Sequence, residues 1–168
     1  MRTIVISGAS SGIGLNIAHR ELKAGNRISI GIRDLESIKG SVIDPNNWSN
    51  EKILVNKYDA LDQSSAKEWI ERTIYKFGGF DTLINCSGVL SKIPFLYKEG
   101  DEEEILKILN INFLAIWNLC RLSWEYLCQS GNGRIIVLVS MSGKRSKGDL
   151  AAYSSSKFAL MSLCQTMK

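Results

Sequence analysis

The sequence contains only one histidine and four cysteines, and this scarcity limits the metal and nucleophilic sites that it can form. His19 lies in a helix-like segment far from any candidate nucleophile, so neither a Ser-His-Asp triad nor a histidine-based metal site is expected. The cysteines show no C-x-x-C spacing, and three of the four lie in apolar runs. This pattern favours reduced, buried thiols over zinc ligands or disulfides. We therefore expect no metal centre.

The sequence also lacks an excess of charge of one sign and a long uninterrupted apolar run. Its 21 Lys and Arg residues are interspersed with 17 Asp and Glu residues, so no basic face for nucleic acid is expected. The longest apolar stretch, residues 105–120, is interrupted by Lys107 and three asparagines, which argues against a membrane span. Met1 is followed almost directly by an apolar run, without the charged start of a signal peptide. We expect one cytoplasmic domain over residues 1–168, with neither nucleic acid nor a membrane as partner.

The chain does contain a regular alternation of strand-like and helix-like segments. Apolar, β-branched runs predict strands at residues 3–7, 27–32, 52–58, 80–85 and 134–140. Amphipathic segments predict helices at residues 12–24, 34–39, 64–77, 101–128 and 151–168, with Asp101 capping the fourth. Strands that alternate with helices at this spacing require a parallel sheet covered on both faces. The predicted fold is α/β, a doubly wound Rossmann-like sheet of five strands.

A glycine pattern, G-x-x-x-G-x-G, follows the first strand and opens the first helix at Gly8, Gly12 and Gly14. Backbone N–H groups at such a helix start can bind a pyrophosphate, and glycine lets the cofactor approach closely. A glycine-rich turn without a ligand has a similar pattern, but the position between strand and helix favours dinucleotide binding. No Gly-Lys-Ser/Thr follows, so a P-loop is not expected.

The end of the second predicted strand indicates which dinucleotide is bound. An acidic residue there would bind the ribose of NAD, whereas a basic residue would pair with the 2′-phosphate of NADP. Ile32 occupies the acidic position and Arg33 follows it. Arg33 could equally be a solvated residue at a strand end, but the missing acid favours NADPH over NADH.

Tyr153 and Lys157 are four residues apart, so both side chains lie on one face of the last predicted helix. Such pairs are common on solvated helices, but Ser140 ends the fifth predicted strand thirteen residues earlier, at the edge where α/β sheets bind ligands. Reducing a carbonyl with hydride builds negative charge on oxygen, which requires a hydrogen-bond donor and a proton source. Ser140 would orient the carbonyl and Tyr153 would deliver the proton. The Lys157 ammonium would favour proton release.

Together, the glycine pattern and these three residues resemble the short-chain dehydrogenase/reductase family, and the resemblance covers nearly every segment from Thr3 to Lys168. It implies a catalytic role for Asn112, which would order a water beside the lysine, and for Ser140, Tyr153 and Lys157. The resemblance also implies cofactor contacts. Ser10, Ser11 and Ile13 would line the pyrophosphate turn, and Asp59 would bind the adenine amino group. Asn85, Ser87 and Gly88 would support the adenosine side, and Lys157 and Tyr153 would contact the nicotinamide ribose.

The sequence departs from the family pattern at two places. The usual Asn-Asn-Ala-Gly is Asn85-Cys86-Ser87-Gly88, which alters the adenosine side. Family members reach about 250 residues as one domain, whereas this chain ends within the helix of Tyr153 and Lys157. The resemblance implies that a sixth strand and a substrate-binding segment should follow, so we expect a C-terminally incomplete NAD(P)-binding domain.

Two interpretations of function remain. The first is an NADPH-dependent oxidoreductase that acts on a small-molecule carbonyl or alcohol. The second is a non-catalytic dinucleotide-binding remnant or interaction module that retains the active-site residues by descent. In either case a sheet that stops at its fifth strand exposes an unpaired edge, and the family pairs its long helices between subunits, so a homodimer is expected.

Overall fold

The computed structural model describes residues 1–146 and 148–167. Its five strands are β1 (Thr3–Ser7), β2 (Arg27–Ile32), β3 (Ile53–Lys57), β4 (Thr82–Asn85) and β5 (Arg134–Val137). Its α-helices are α1 (Gly12–Lys23), α2 (Gln63–Phe77), α3 (Glu102–Leu109), α4 (Ala115–Gln129) and α5 (Ala151–Thr166). All strand pairs are parallel and the strand order is β3-β2-β1-β4-β5, which confirms the predicted Rossmann-like sheet.

The sheet is apolar on both faces because successive side chains of a buried strand point in opposite directions. Ile4 and Ile6 of β1 pack with α1 on one face, whereas Val5 packs with Trp69 of α2 and Leu119 of α4 on the other. Helix α5 covers the second face as well, through Leu160 and Leu163. The strand order reverses between β1 and β4, so the carboxyl ends of these strands open into a crevice.

Helices α3 and α4 are joined by a π-helical turn at Asn110–Leu114 and form one continuous helix, Glu102–Gln129. By length and composition this helix is apolar enough to cross a membrane. The polar interruptions seen in the sequence therefore do not by themselves argue against a membrane span. Its buried residues include Leu119 and Leu127 of the core, so one face of this helix packs against the sheet. π turns are rare and frequently occur at functional sites.

Several predicted boundaries were wrong. Asp101 does not cap α3, because its carboxylate accepts a hydrogen bond from the Lys98 N–H at 3.0 Å instead. The predicted helix at residues 34–39 is a short 3-10 turn, Leu35–Ile38, capped by Asp34. The last helix ends at Thr166, and Lys168 lies outside the described residues.

The fifth strand is shorter than predicted and lies at an edge of the sheet. It ends at Val137, and Ser140 instead begins a 3-10 turn at Met141–Gly143. Ile136 is 48% exposed, as expected for an edge strand. The prediction of buried cysteines was only partly correct: all four are free thiols, but Cys120 alone is buried, Cys86 and Cys164 are half-buried and Cys128 is exposed.

Candidate active site

The glycine turn after β1 packs directly against the loop after β4. Gly8 has φ +69°, and a Cβ atom there would lie 2.8 Å from the Ser87 backbone nitrogen. A Cβ atom at Gly14 would lie 2.4 Å from the Gly8 carbonyl oxygen. Neither contact is possible, so only glycine allows this turn and the start of α1 to pack so closely.

The first turn of α1 is available to an anion. Ser11 occupies the N-cap position, but its side chain makes no capping hydrogen bond. No acidic residue lies in that turn. No atom outside the turn lies within 4 Å of the place where a Gly12 Cβ would project. Free backbone N–H groups and the positive end of the helix dipole therefore face open space, which fits a pyrophosphate.

This turn forms one wall of a cavity of about 360 Å³ at the carboxyl edge of the sheet. The cavity contains nine of the residues predicted to bind the cofactor: Gly8, Ser10, Ser11, Gly12, Ile13, Gly14, Arg33, Ser87 and Gly88. Of the other lining residues, Cys86 lies within the segment 85–88 predicted for the adenosine side, and sequence reasoning assigned no cofactor contact to Gly31, Ile32, Tyr58, Ala60, Val89, Ile111 and Leu138. Most of them lie at or just after the carboxyl end of a strand, and that position is the signal that could have identified them.

Four of the predicted cofactor residues do not line the cavity: Tyr153 and Lys157, which lie on α5, and Asp59 and Asn85. The Asp59 carboxylate accepts a hydrogen bond from the Leu61 N–H at 2.9 Å, and Ser65 Oγ accepts from the Asp59 N–H at 3.0 Å. Asp59 thus shapes the turn between Tyr58 and Ala60, which do line the cavity. Asn85 is fully buried below the floor, where its amide donates to Cys120 Sγ at 3.6 Å. Its side chain joins β4 to α4.

The carboxyl end of β2 presents a cation to the cavity and no carboxylate. Arg33 is exposed and lines the cavity, whereas Ile32 is buried. The nearest acid in sequence, Asp34, accepts a hydrogen bond from the Glu36 N–H at 2.9 Å and caps the following turn. Asp34 is not part of the cavity lining.

Asn112 lies in the π turn and joins the β4 loop to α5. Its side chain is completely buried. The Asn112 Oδ1 atom accepts from the Val89 N–H at 2.8 Å, and Nδ2 donates to the Val89 carbonyl at 2.9 Å and to Ser156 Oγ at 3.1 Å. Both polar atoms of the amide are therefore occupied by protein groups.

Lys157 extends from α5 toward Gly88 in the cavity wall, although it does not itself line the cavity. It is only 4% exposed, and Nζ donates a hydrogen bond to the Leu138 carbonyl at 3.3 Å. A Cβ atom at Gly88 would lie 3.6 Å from Nζ, so the ammonium reaches the wall that Gly88 forms. Burial lowers the pKa of Lys157 below the ordinary lysine value. The described residues form no ion pair with it.

Tyr153 and Ser140 lie beside this lysine on α5 and on the turn that packs against α5. Lys157 Nζ is 5.8 Å from the centre of the Tyr153 ring. Ser140 Oγ accepts a hydrogen bond from the Ser142 N–H at 3.1 Å, and its hydroxyl hydrogen has no acceptor among the described residues. A Cβ atom at Gly143 would lie 3.0 Å from the Lys157 carbonyl, so this short turn holds Ser140 close to α5.

A link between two loops fixes the start of α5. The Ala151 N–H donates to the Ile93 carbonyl at 2.8 Å, and Ile93 pairs with Leu150 in an isolated parallel bridge. The loop after β4 and the segment before α5 are joined there, next to Tyr153. The cavity, the buried lysine, the tyrosine and the serine thus occupy one edge of the sheet.

Comparisons with known proteins agree with this geometry. The family model described as short chain dehydrogenase matches residues 2–168. Agropine synthesis reductase of Rhizobium rhizogenes is 32% identical over 97% of this chain and 37% of its own length. Diacetyl reductase [(S)-acetoin forming] of Staphylococcus epidermidis is 28% identical over 98% of this chain and 63% of its own length.

A solved structure shows the same fold. The crystal structure of a short-chain dehydrogenase from Streptomyces avermitilis matches with a TM-score of 0.90 at 22% identity, over 99% of this chain and 59% of that one. The chain therefore spans between 37% and 63% of the length of these three proteins.

Proposed function

Because the chain belongs to the short-chain dehydrogenase family, we propose that it binds NADPH in the cavity at the carboxyl edge and interconverts a small-molecule carbonyl and its alcohol. The observation that carries this proposal is the buried Lys157 ammonium, which lies between the cavity wall at Gly88 and the Tyr153 ring. A buried cation without an ion pair is costly, and such groups are concentrated at functional sites.

The residues of the cavity suit a nicotinamide dinucleotide. The open first turn of α1 would bind the pyrophosphate, and Arg33 would pair with a 2′-phosphate. The carboxylate that could repel this phosphate, Asp34, is held in the cap of the next turn. Lys157 retains ammonium donors beyond the one used by Leu138, and these would bind the nicotinamide ribose. When bound, the cofactor would supply or accept the hydride.

The protein groups would hold the carbonyl and move its proton. The O–H of Ser140 would donate to the carbonyl oxygen, where negative charge develops during reduction. The Tyr153 hydroxyl would then transfer its proton to that oxygen. The Lys157 ammonium would stabilise the phenolate that remains. In the alcohol-oxidising direction each proton moves the opposite way.

Asn112 acts as a positioning residue in this scheme. Its amide oxygen and nitrogen are engaged by Val89 and Ser156, so the side chain holds the β4 loop and α5 at a fixed separation. That separation sets where Gly88 and Lys157 meet. Because the side-chain amide of Asn112 is already engaged by these protein groups, we assign the ordering of a water beside Lys157 to other atoms.

The proposed substrate is a small molecule, and the proposed assembly is a homodimer. The matched relatives are named as reductases that act on compounds of that kind. Large apolar side chains exposed on the long helix and on α5 would be covered in a dimer, among them Leu106, Leu114, Trp117 and Phe158. The alternative of a non-catalytic remnant has no support among the matched proteins.

The test of the proposed function is NADPH oxidation by the chain with a panel of small ketones and aldehydes. We expect Tyr153→Phe to lose most of the rate while still binding NADPH, since it lacks the proton donor but keeps the residues that line the cavity. Tyr75→Phe is the matched control, because Tyr75 is exposed on α2. Equal rates for the wild type and Tyr153→Phe would contradict the catalytic assignment.

A further inference from the structure

The amino edge of the sheet, opposite the cofactor cavity, contains a second cavity of about 570 Å³ whose charged lining is mainly cationic. Arg27 at the start of β2, Lys52 just before β3 and Lys76 near the end of α2 line it, together with a single acid, Glu51. None of the three cations takes part in an ion pair among the described residues. Their charge is therefore left without a close counter-ion.

Arg27 is the centre of this group. Its guanidinium carbon lies 5.3 Å from the centre of the Phe77 ring, and Lys76 Nζ lies 5.7 Å from the same ring centre. The Nε atom of Arg27 is buried and has no hydrogen-bond partner among the described residues. A buried donor that stays unpaired costs about 1–3 kcal/mol, so such donors normally have a partner.

The two lysines are held at strand ends but retain free donors. Lys52 Nζ donates to the Gly25 carbonyl at 2.6 Å and to Met1 Sδ at 3.4 Å, and Lys76 Nζ donates to the Ile53 carbonyl at 2.9 Å. An ammonium has three N–H donors, so each lysine can still bind a ligand. The carbonyl contacts fix both ammonium groups beside the cavity, which reduces the entropy lost on binding.

We propose that this second cavity binds the phosphate group of a small soluble metabolite through Arg27, Lys52 and Lys76. A guanidinium binds phosphate oxygens in a bidentate manner, and two further ammonium groups match a dianion. The Asn50 amide at the cavity adds an uncharged polar contact. The site lies at the opposite edge of the sheet from Lys157, so it does not depend on the proposed oxidoreductase function.

Inorganic phosphate titrated into the ¹⁵N-labelled chain tests this proposal by nuclear magnetic resonance. We expect saturable shifts of the amide signals of Asn50, Lys52 and Phe77 that sodium chloride at equal ionic strength does not reproduce. The amides of Gly12 and Gly14 report separately on phosphate at the cofactor turn. Shifts at residues 50–52 that grow linearly without saturation would overturn the proposal.

Two variants and one control make the assignment specific. Lys76→Gln should weaken phosphate binding roughly tenfold, since a charge-assisted hydrogen bond is lost. Arg27→Lys keeps the charge but removes the planar guanidinium, and should also weaken binding. Lys67→Gln changes the charge equally on the same helix, at an exposed position, and should leave binding unchanged. Equal weakening by Lys76→Gln and Lys67→Gln would refute a formed site.

The same phosphate chemistry is found in lipid headgroups, and cosedimentation separates the two sources. The chain is mixed with phosphatidylcholine vesicles that contain or lack phosphatidic acid. We expect no vesicle binding that depends on Lys76, because the ligand groups line a cavity beside strand ends. Binding to the acidic vesicles that Lys76→Gln abolishes would overturn the soluble metabolite as the ligand.

Discussion

Replacing Asn112 with alanine should destabilise the protein strongly, although alanine has the higher helix propensity. The asparagine is completely buried and makes three hydrogen bonds, two to the Val89 backbone and one to Ser156. Removing it leaves the Val89 N–H and carbonyl without partners. Each buried group left unpaired costs about 1–3 kcal/mol, and Val89 is only half-buried, so we expect a total loss of about 2–4 kcal/mol.

Urea unfolding followed by circular dichroism measures this loss. The midpoint should fall while the slope with denaturant stays constant, and the thermal midpoint should fall by about 2–4 °C for each kcal/mol in a domain of this size. The control is Asn118→Ala on the same helix, where the amide only accepts a solvent-exposed hydrogen bond from Arg121 at 2.9 Å. That variant should change stability by less than about 0.5 kcal/mol. Equal effects of the two substitutions would refute the role of Asn112 as a buried link.

Two further predictions concern Lys157 and Arg33. Burial lowers the pKa of Lys157, so the unfolded chain holds this proton more tightly and the buried charge destabilises the fold at neutral pH. Lys157→Met should therefore raise the urea midpoint at pH 7 while abolishing carbonyl reduction. The stability difference between Lys157→Met and the wild type should shrink as the pH rises toward the ordinary lysine pKa. A variant less stable than the wild type at pH 7 would contradict this. Arg33→Ala should reduce the preference for NADPH over NADH in calorimetric titrations, whereas Arg20→Ala, at an exposed position of α1, should not. An unchanged preference would remove Arg33 from the cofactor site.

The order of strands and helices was predictable because each element carries its own pattern. Isoleucine-rich segments such as Arg27–Ile32 are found as buried strands, and the glycine turn lies between strand and helix as expected. The positions of Gly8 and Gly14 were predictable for the same reason, since both belong to a local motif.

Contacts between distant segments were not predictable. Asn85 matches a family motif, yet it is buried at the end of the internal strand β4, and its amide donates to Cys120, 35 residues away. Ser140 was expected to end a strand, but its own side chain begins a turn that packs against α5. The cations of the second cavity come from three separate segments and share no motif. For Asn85 and for these cations the partner is far away in the sequence, so no local pattern reveals it. For Ser140 the turn itself is local, and only its packing against α5 depends on a distant segment.

The central claim is that the cavity beside Lys157 binds a nicotinamide dinucleotide, and a calorimetric titration with NADPH tests it most directly. The wild-type chain should bind one NADPH per cavity. Ser11→Glu, which places a carboxylate at the exposed start of α1, should weaken binding at least about tenfold through repulsion of the pyrophosphate. Ser162→Glu, the same substitution at an exposed position of α5, should bind as the wild type does. Absence of binding to the wild type, or equal affinity of the wild type and Ser11→Glu, would contradict the account.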